Sequence, residues 1–279
     1  MNVTVADVLE LLETVAPPRL AESWDNIGLQ AGDRSQRVRS VWVALDPLPD
    51  VVAAACAAGV DLLITHHPLL FRPLSVLDLS TPLGRTLQKA LTNGLSIAAA
   101  HTNLDSAAGG LNDVLAARLG LKQLRPLAPA EGETRSDADA AAGGPGEAGM
   151  GRIGVLPTAK PLADLARDVR NALRLQTLRW VGDGQQRIGT VAVCSGSGSG
   201  LMQHFYRSGA DVFISGDLRY HDARDAQAAG KALIDVGHFA SEHLIVEVLA
   251  ERLTAMAARR GWDIDISACD LETDPFALA

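Results

Sequence analysis

Short apolar runs alternate with helical patterns along most of the chain, and this alternation restricts the fold more than any other feature. Runs at 41–45, 62–65, 96–100, 190–194, 212–215 and 232–236 are β-branched or apolar and bounded by Gly, Asp or His. Helical stretches occupy 49–58, 82–93, 110–119, 162–173, 200–208 and 241–258. Parallel strands need crossover helices, so the pattern predicts an α/β fold with largely parallel sheets and functional groups where strands end. Residues 1–15 read as an amphipathic helix without a basic n-region, unlike a secretory signal.

The segment 128–151 breaks the alternation. It holds seven Ala, six Gly and two Pro in 24 residues and no Leu, Ile, Val or aromatic side chain. So little apolar surface cannot offset the entropy of ordering it. The sequence therefore predicts an N-terminal α/β lobe at 1–127, a flexible linker at 128–151 and a similar C-terminal lobe at 152–279.

With 25 Lys and Arg against 33 Asp and Glu, the chain carries a formal charge of −8, so a partner bound by phosphate neutralisation, nucleic acid above all, is not expected. The apolar run from residue 51 ends at Asp61, well short of the roughly 18 residues that span a bilayer, and no membrane association is expected. Three cysteines, at 56, 194 and 269, fit neither a disulfide framework nor a CxxC zinc site. They read as packing residues of a cytoplasmic protein.

The two halves echo each other. Gly-Val-Asp-Leu-Leu-Ile-Thr-His-His at 59–67 parallels Gly-Ala-Asp-Val-Phe-Ile-Ser-Gly-Asp at 209–217, and the strands at 96–100 and 232–236 both deliver His-x-x-x-carboxylate, as His101 with Asp105 and His238 with Glu242. Asp217 and His221 add a similar pair. A single histidine is more often a satisfied core or surface group than a ligand. Here five of seven histidines fall at strand ends or just beyond. Imidazole with carboxylate suits zinc, manganese or iron, whereas all-oxygen sites suit magnesium and calcium. Adjacent His66 and His67 would face opposite ways within a strand, but Pro68 ends the pleat directly after them. His204 and His243 fall within helical patterns and read as structural.

Five blocks in order carry a resemblance: Ser-Trp-Asp-Asn-Ile-Gly-Leu at 23–29, Ile-Thr-His-His-Pro-Leu at 64–69, His-Thr-Asn-Leu-Asp at 101–105 with Gly-Gly-Leu-Asn at 109–112, Ser-Gly-Asp-Leu-Arg-Tyr-His at 215–221, and Asp-Val-Gly-His-Phe-Ala-Ser-Glu at 235–242. Together they resemble the dinuclear-metal-centre hexameric protein family, Nif3-like and labelled type 2 GTP cyclohydrolase I, from about residue 3 to residue 268. The resemblance implies two α/β lobes facing each other across a cleft with two divalent transition-metal ions (zinc, iron or manganese), in a homo-hexamer. It makes His66 and His67 ligands of different ions, Asp105 a ligand from the first half, and His238 and Glu242 ligands from the second, with Glu242 bridging. It places His101 in the same pocket, as a ligand or an adjacent catalytic group. Some members carry an inserted middle domain, for which segment 128–151 is too short and too polar.

Ligating imidazoles usually donate their second N–H to an acceptor, which makes Asp217 and Asp235 candidate orienting groups. His221 is a candidate catalytic proton carrier, with a solvated helix-start histidine as the alternative. Cys-Ser-Gly-Ser-Gly-Ser-Gly at 194–200 follows a strand and precedes a helix, where backbone N–H groups can hold phosphate, yet it lacks the Walker lysine. Trp24, Asp25, Asn26 and Asp46 could line the cleft, with loop anchoring or helix capping as the alternatives. Ser195 lacks the G-x-S-x-G setting of a serine hydrolase. Two metal ions would activate water against an electrophilic carbon or phosphorus of a small-molecule substrate, for which the family label proposes a nucleotide. A non-catalytic metal-binding assembly module is the alternative. A metal-dependent phosphoesterase is a third reading, for which Arg72, Arg219 and Arg224 lie near the ligand motifs.

Overall fold

Strands expected from the alternation collect into two separate sheets in the computed structural model, which describes residues 2–130 and 147–277. Around the first sheet run α1 (Val5–Val15), β1 (Gly28–Ala31), β2 (Ser40–Ala44), α2 (Pro49–Ala57), β3 (Leu62–Thr65), α3 (Pro82–Thr92) and β4 (Ser96–Ala99). The strand order is β1-β4-β3-β2, closed by a C-terminal strand, Asp265–Ala268, that pairs in parallel with β2. Only β1 runs antiparallel, against β4. All side chains of β3 and β4 are buried, as central parallel strands require.

After α4 (Thr102–Ser106) and α5 (Leu111–Arg118), the second sheet is built from β5 (Lys122–Pro129), β6 (Gly149–Pro161), β7 (Arg179–Val181), β8 (Arg187–Ser197), β9 (Val212–Gly216) and β10 (Ala232–Asp235), in the order β5-β6-β8-β9-β10-β7. Its helices are α6 (Leu162–Ala172), α7 (Met202–Arg207), α8 (Tyr220–Ala228) and α9 (His238–Glu242). The chain then continues through α10 (Leu244–Arg259) to β11 (Asp265–Ala268). Strands β8, β9 and β10 are parallel, whereas β5, β6 and β7 pair antiparallel. The fold is thus α/β as expected, but its second sheet is mixed rather than largely parallel.

The expected lobe boundaries differ from the compact units observed, which comprise 1–104 with 245–279, and 105–244. Residues 105–127 belong with the second sheet because β5 pairs with β6. Residues 265–268 return to the first because β11 pairs with β2. The ends of the expected linker are also strand: Pro129 pairs with Gly149 and Ala128 with Met150. The rest of that linker, 131–146, lies outside the described residues.

The repeat seen in the sequence has a hydrogen-bonded counterpart. Asp61 Oδ2 accepts from the N–H groups of Arg39 and Ser40 at 2.7 and 3.0 Å, fixing the start of β2 beside β3. Asp211 Oδ2 accepts from Gly189 and Thr190, both at 2.8 Å, within β8 beside β9. Each aspartate follows a turn glycine in the left-handed region, Gly59 at φ +70° and Gly209 at φ +79°. Gly-x-Asp is therefore the device that sets the register of each parallel pair.

Helix α1 starts with a capping box in which Asp7 N–H donates to Thr4 Oγ1 and Thr4 N–H to the Asp7 carboxylate. Thr4→Ala is expected to cost about 1 kcal/mol in a denaturant titration at neutral pH. The Thr4 bonds lower the Asp7 pKa below its ordinary 3.8, so this contribution is present above that value and fades as pH falls below it. A T4A penalty unchanged at acid pH would contradict the assignment. Among the described residues no helix is long and apolar enough to cross a membrane.

Candidate metal centre

At the end of β3 the ladder with β2 continues past the strand. His66 N–H donates to Ala44 O and His67 N–H to Leu45 O, at 3.1 and 2.9 Å. Thr65 Oγ1 donates back to His67 O at 2.7 Å, turning the backbone before Pro68. The two imidazoles therefore escape the alternation of a strand and lie side by side, ring centres 5.0 Å apart. His101, just beyond β4, joins them with ring centres 5.1 and 5.5 Å away. One ring nitrogen from each of the three lies within 4.8 Å of the others.

Each ring is held through Nδ1. His66 donates to Ala100 O at 3.0 Å, His67 to Asp46 Oδ1 at 2.8 Å, and His101 to Asp25 Oδ1 at 2.9 Å. Nδ1 protonation leaves Nε2 as the nitrogen that could bind a metal ion, the arrangement typical of metal-binding histidines. Asp25 also accepts from Thr102 N–H at 3.0 Å and from the Thr102 hydroxyl. Burial opposes its ionisation, but the bonds from His101 and Thr102 outweigh that and hold the carboxyl down at about 2. Asn103 completes the turn, accepting from His101 N–H and donating to Ala16 O.

In the second unit, His238 and Glu242 occupy one turn of α9, with His238 Nε2 3.0 Å from Glu242 Oε2. Asp217 Oδ2 accepts from His238 Nδ1 at 2.8 Å, as the sequence suggested. Asp217 adopts φ +51°, an uncommon conformation for a residue with a side chain, directly after β9. Asp235 does not share this role; it is ion-paired with Arg179 and caps Gly237 N–H.

Asp105 lies in this second unit rather than with the first half of the chain. Ser195 Oγ donates to Asp105 Oδ1 at 3.1 Å, and Asn112 ties the two segments by accepting from Ser195 N–H and donating to Asp105 O. Burial, with the neighbouring Asp105 and Glu242 carboxylates, pushes the Cys194 thiol well above its ordinary range, so it remains a protonated packing group. Cys269 is buried beside the first sheet.

Two backbone donors of the Gly-Ser loop are already used, Ser195 N–H by Asn112 Oδ1. Gly196 N–H is taken by Ser241 Oγ, and a side chain at Gly196 would meet Glu242 Oε1 at 2.1 Å. The loop instead encloses the Glu242 carboxylate. His221 is exposed at the start of α8 with its ring edge-on to Tyr220. Arg219 pairs with Asp222 on the same helix, and Arg224 donates to the Tyr220 hydroxyl. His204 is exposed on α7, and His243 stacks on Phe239. Asp46 is an orienting group rather than a helix cap, since Leu48 precedes α2. Asp25 and Asp46 were legible only as candidates, because nothing in the local sequence links them to particular histidines.

Three oriented imidazoles at the strand ends of a mixed α/β fold define a class of protein equipped to hold a metal ion. The chain belongs to the Duf34/NIF3 (NGG1p interacting factor 3) family, whose profile matches residues 3–275. A Streptomyces coelicolor relative named "GTP cyclohydrolase 1 type 2 homolog" is 36% identical over 277 residues, covering 98% of this chain and 93% of its own. A Bacillus cereus protein related to NIF3 superposes with a TM-score of 0.90 at 26% identity, covering 100% of both chains. A Staphylococcus aureus hypothetical protein does so with a TM-score of 0.89 at 30% identity, again over 100% of both.

Proposed function

We propose that this protein is a dinuclear metal-dependent hydrolase in which His66, His67, Asp105, His238 and Glu242 serve as metal ligands and His101 acts beside them. The observation that carries the reading is that all four histidines donate Nδ1 to a protein oxygen, at 2.8–3.0 Å. The donor set, imidazole with carboxylate, fits zinc, iron or manganese. Bound there, two such ions would lower the pKa of a coordinated water towards neutrality and polarise a substrate oxygen.

The chain's own residues prepare that chemistry. Asp25, Asp46 and Asp217 fix tautomer and ring orientation, so that little reorganisation is needed when a ligand arrives. Ser195 donates to the Asp105 carboxylate, and Gly196, lacking a side chain, leaves the space that the Glu242 carboxylate fills. His221, exposed at the start of α8, serves in this reading as the proton carrier. The name given to the curated relatives makes GTP the first substrate to test, through opening of the imidazole ring of its base. Hexameric assembly and a cytoplasmic setting belong to the same proposal.

Metal-reconstituted protein is expected to convert GTP or a related nucleotide in a metal-dependent reaction followed by product analysis. His67→Ala and Glu242→Ala are expected to lower the rate by about a hundredfold or more, the scale of losing an essential acid-base or ligating group. Full metal occupancy with no turnover of nucleotides or phosphoesters under any of the three metals would replace the hydrolase reading with that of a metal-binding assembly module.

A further inference from the structure

Trp24 and Phe71 are 57% and 50% exposed, although each could bury a large apolar surface. Their ring centres lie 5.8 Å apart, and both meet the edge of His101, at 6.1 and 6.5 Å. The pair is held deliberately. Leu70, next to Phe71, donates its N–H to Gln30 Oε1 at 3.1 Å and accepts from Asn26 Nδ2 at 2.5 Å. Asn26 follows Asp25, whose carboxylate orients His101, so one short loop fixes a ligand candidate and an aromatic surface together. Packing alone does not account for two half-exposed rings set beside the His101 imidazole, one of them in a loop whose Leu70 backbone two amide side chains hold.

We infer that Trp24 and Phe71 form a stacking platform that presents a planar heteroaromatic ring of the substrate to the His66–His67–His101 cluster. Stacking on an indole or phenyl face suits a base or other flat heterocycle and gives nothing to a ring-less phosphoester. The inference rests on the hydrolase reading for the fate of the ring, but on the platform alone for its capture.

The test is calorimetric binding of guanosine 5′-monophosphate and ribose 5-phosphate to the metal-loaded protein, with metal content and melting temperature measured alongside. The nucleotide is expected to bind more tightly than the sugar phosphate. Trp24→Ala with Phe71→Ala is expected to weaken nucleotide binding by about tenfold to a hundredfold, the scale of one or two lost stacking contacts, with metal content unchanged. Trp24→Phe is expected to keep most of the affinity while losing the ligand-induced quenching of tryptophan fluorescence, a signature that a merely structural role would not move. Equal binding of the two probes, or nucleotide affinity unaffected by the double substitution, would overturn the platform. Ring binding through Trp24 in a protein that holds no metal would sink the hydrolase reading and leave the platform standing.

Discussion

Arg152→Ala is expected to destabilise the protein by about 3–5 kcal/mol, the scale of breaking a buried ion pair from one side. Arg152 is only 1% exposed. Its guanidinium forks onto Asp113, with Nε to Oδ1 and Nη2 to Oδ2 both at 2.8 Å. It also donates to the carbonyls of Gly149, Gly151 and Ala107, at 2.6, 2.8 and 3.0 Å. Removing the cation takes two donors from the Asp113 carboxylate, which keeps the Gly109 N–H, and leaves three carbonyls to find other donors. Those carbonyls belong to the start of β6, which lies between β5 and β8, and to the turn before α5, so the loss falls on the second sheet and the helix packed beside it. A denaturant titration reads it directly, and a change below about 1 kcal/mol would contradict the assignment. Arg152→Met combined with Asp113→Leu is expected to lose less than Arg152→Ala alone, because no charge is left unpaired.

Gly196→Ala is expected to separate folding from metal binding. The residue sits at φ +59°, where a side chain costs about 1–2 kcal/mol. Its new Cβ would lie 2.1 Å from Glu242 Oε1 and 3.3 Å from His238 Nε2. The carboxylate, only 3% exposed, must then turn away from the position in which the loop holds it. Metal affinity is expected to fall by about tenfold to a hundredfold, as when an orienting partner is lost, while the melting transition stays cooperative. Competition titration against a chelator measures this. An unchanged affinity would show that Glu242 does not ligate.

Histidine positions were legible because chemistry at the end of a parallel strand needs only short-range signals. A buried apolar run followed by His-His-Pro, or by His-x-x-x-Asp, marks His66, His67 and His101 without knowledge of the fold. The Gly-x-Asp register device was visible for the same reason. Long-range partners were not. Asp25 reaches His101 across 76 positions and Asp46 reaches His67 across 21, and no local pattern encodes either. Strand β6 was lost in the Gly-rich segment for a physical reason. A side chain at Gly149 would meet Ala128 O at 2.4 Å and Pro126 Cβ at 2.8 Å, so the close approach of β5 and β6 demands a residue that reads as a loop former. Arg152 was hidden there too, since a lone arginine beside a polar stretch looks like a solvated surface residue until its carboxylate is seen.

Metal analysis of protein purified without chelator bears most directly on the proposed metal centre. Two divalent transition-metal ions per chain are expected, with His67→Ala and Glu242→Ala each losing bound metal. Metal-free protein that takes up none of zinc, iron or manganese, or metal content untouched by either substitution, would contradict the account.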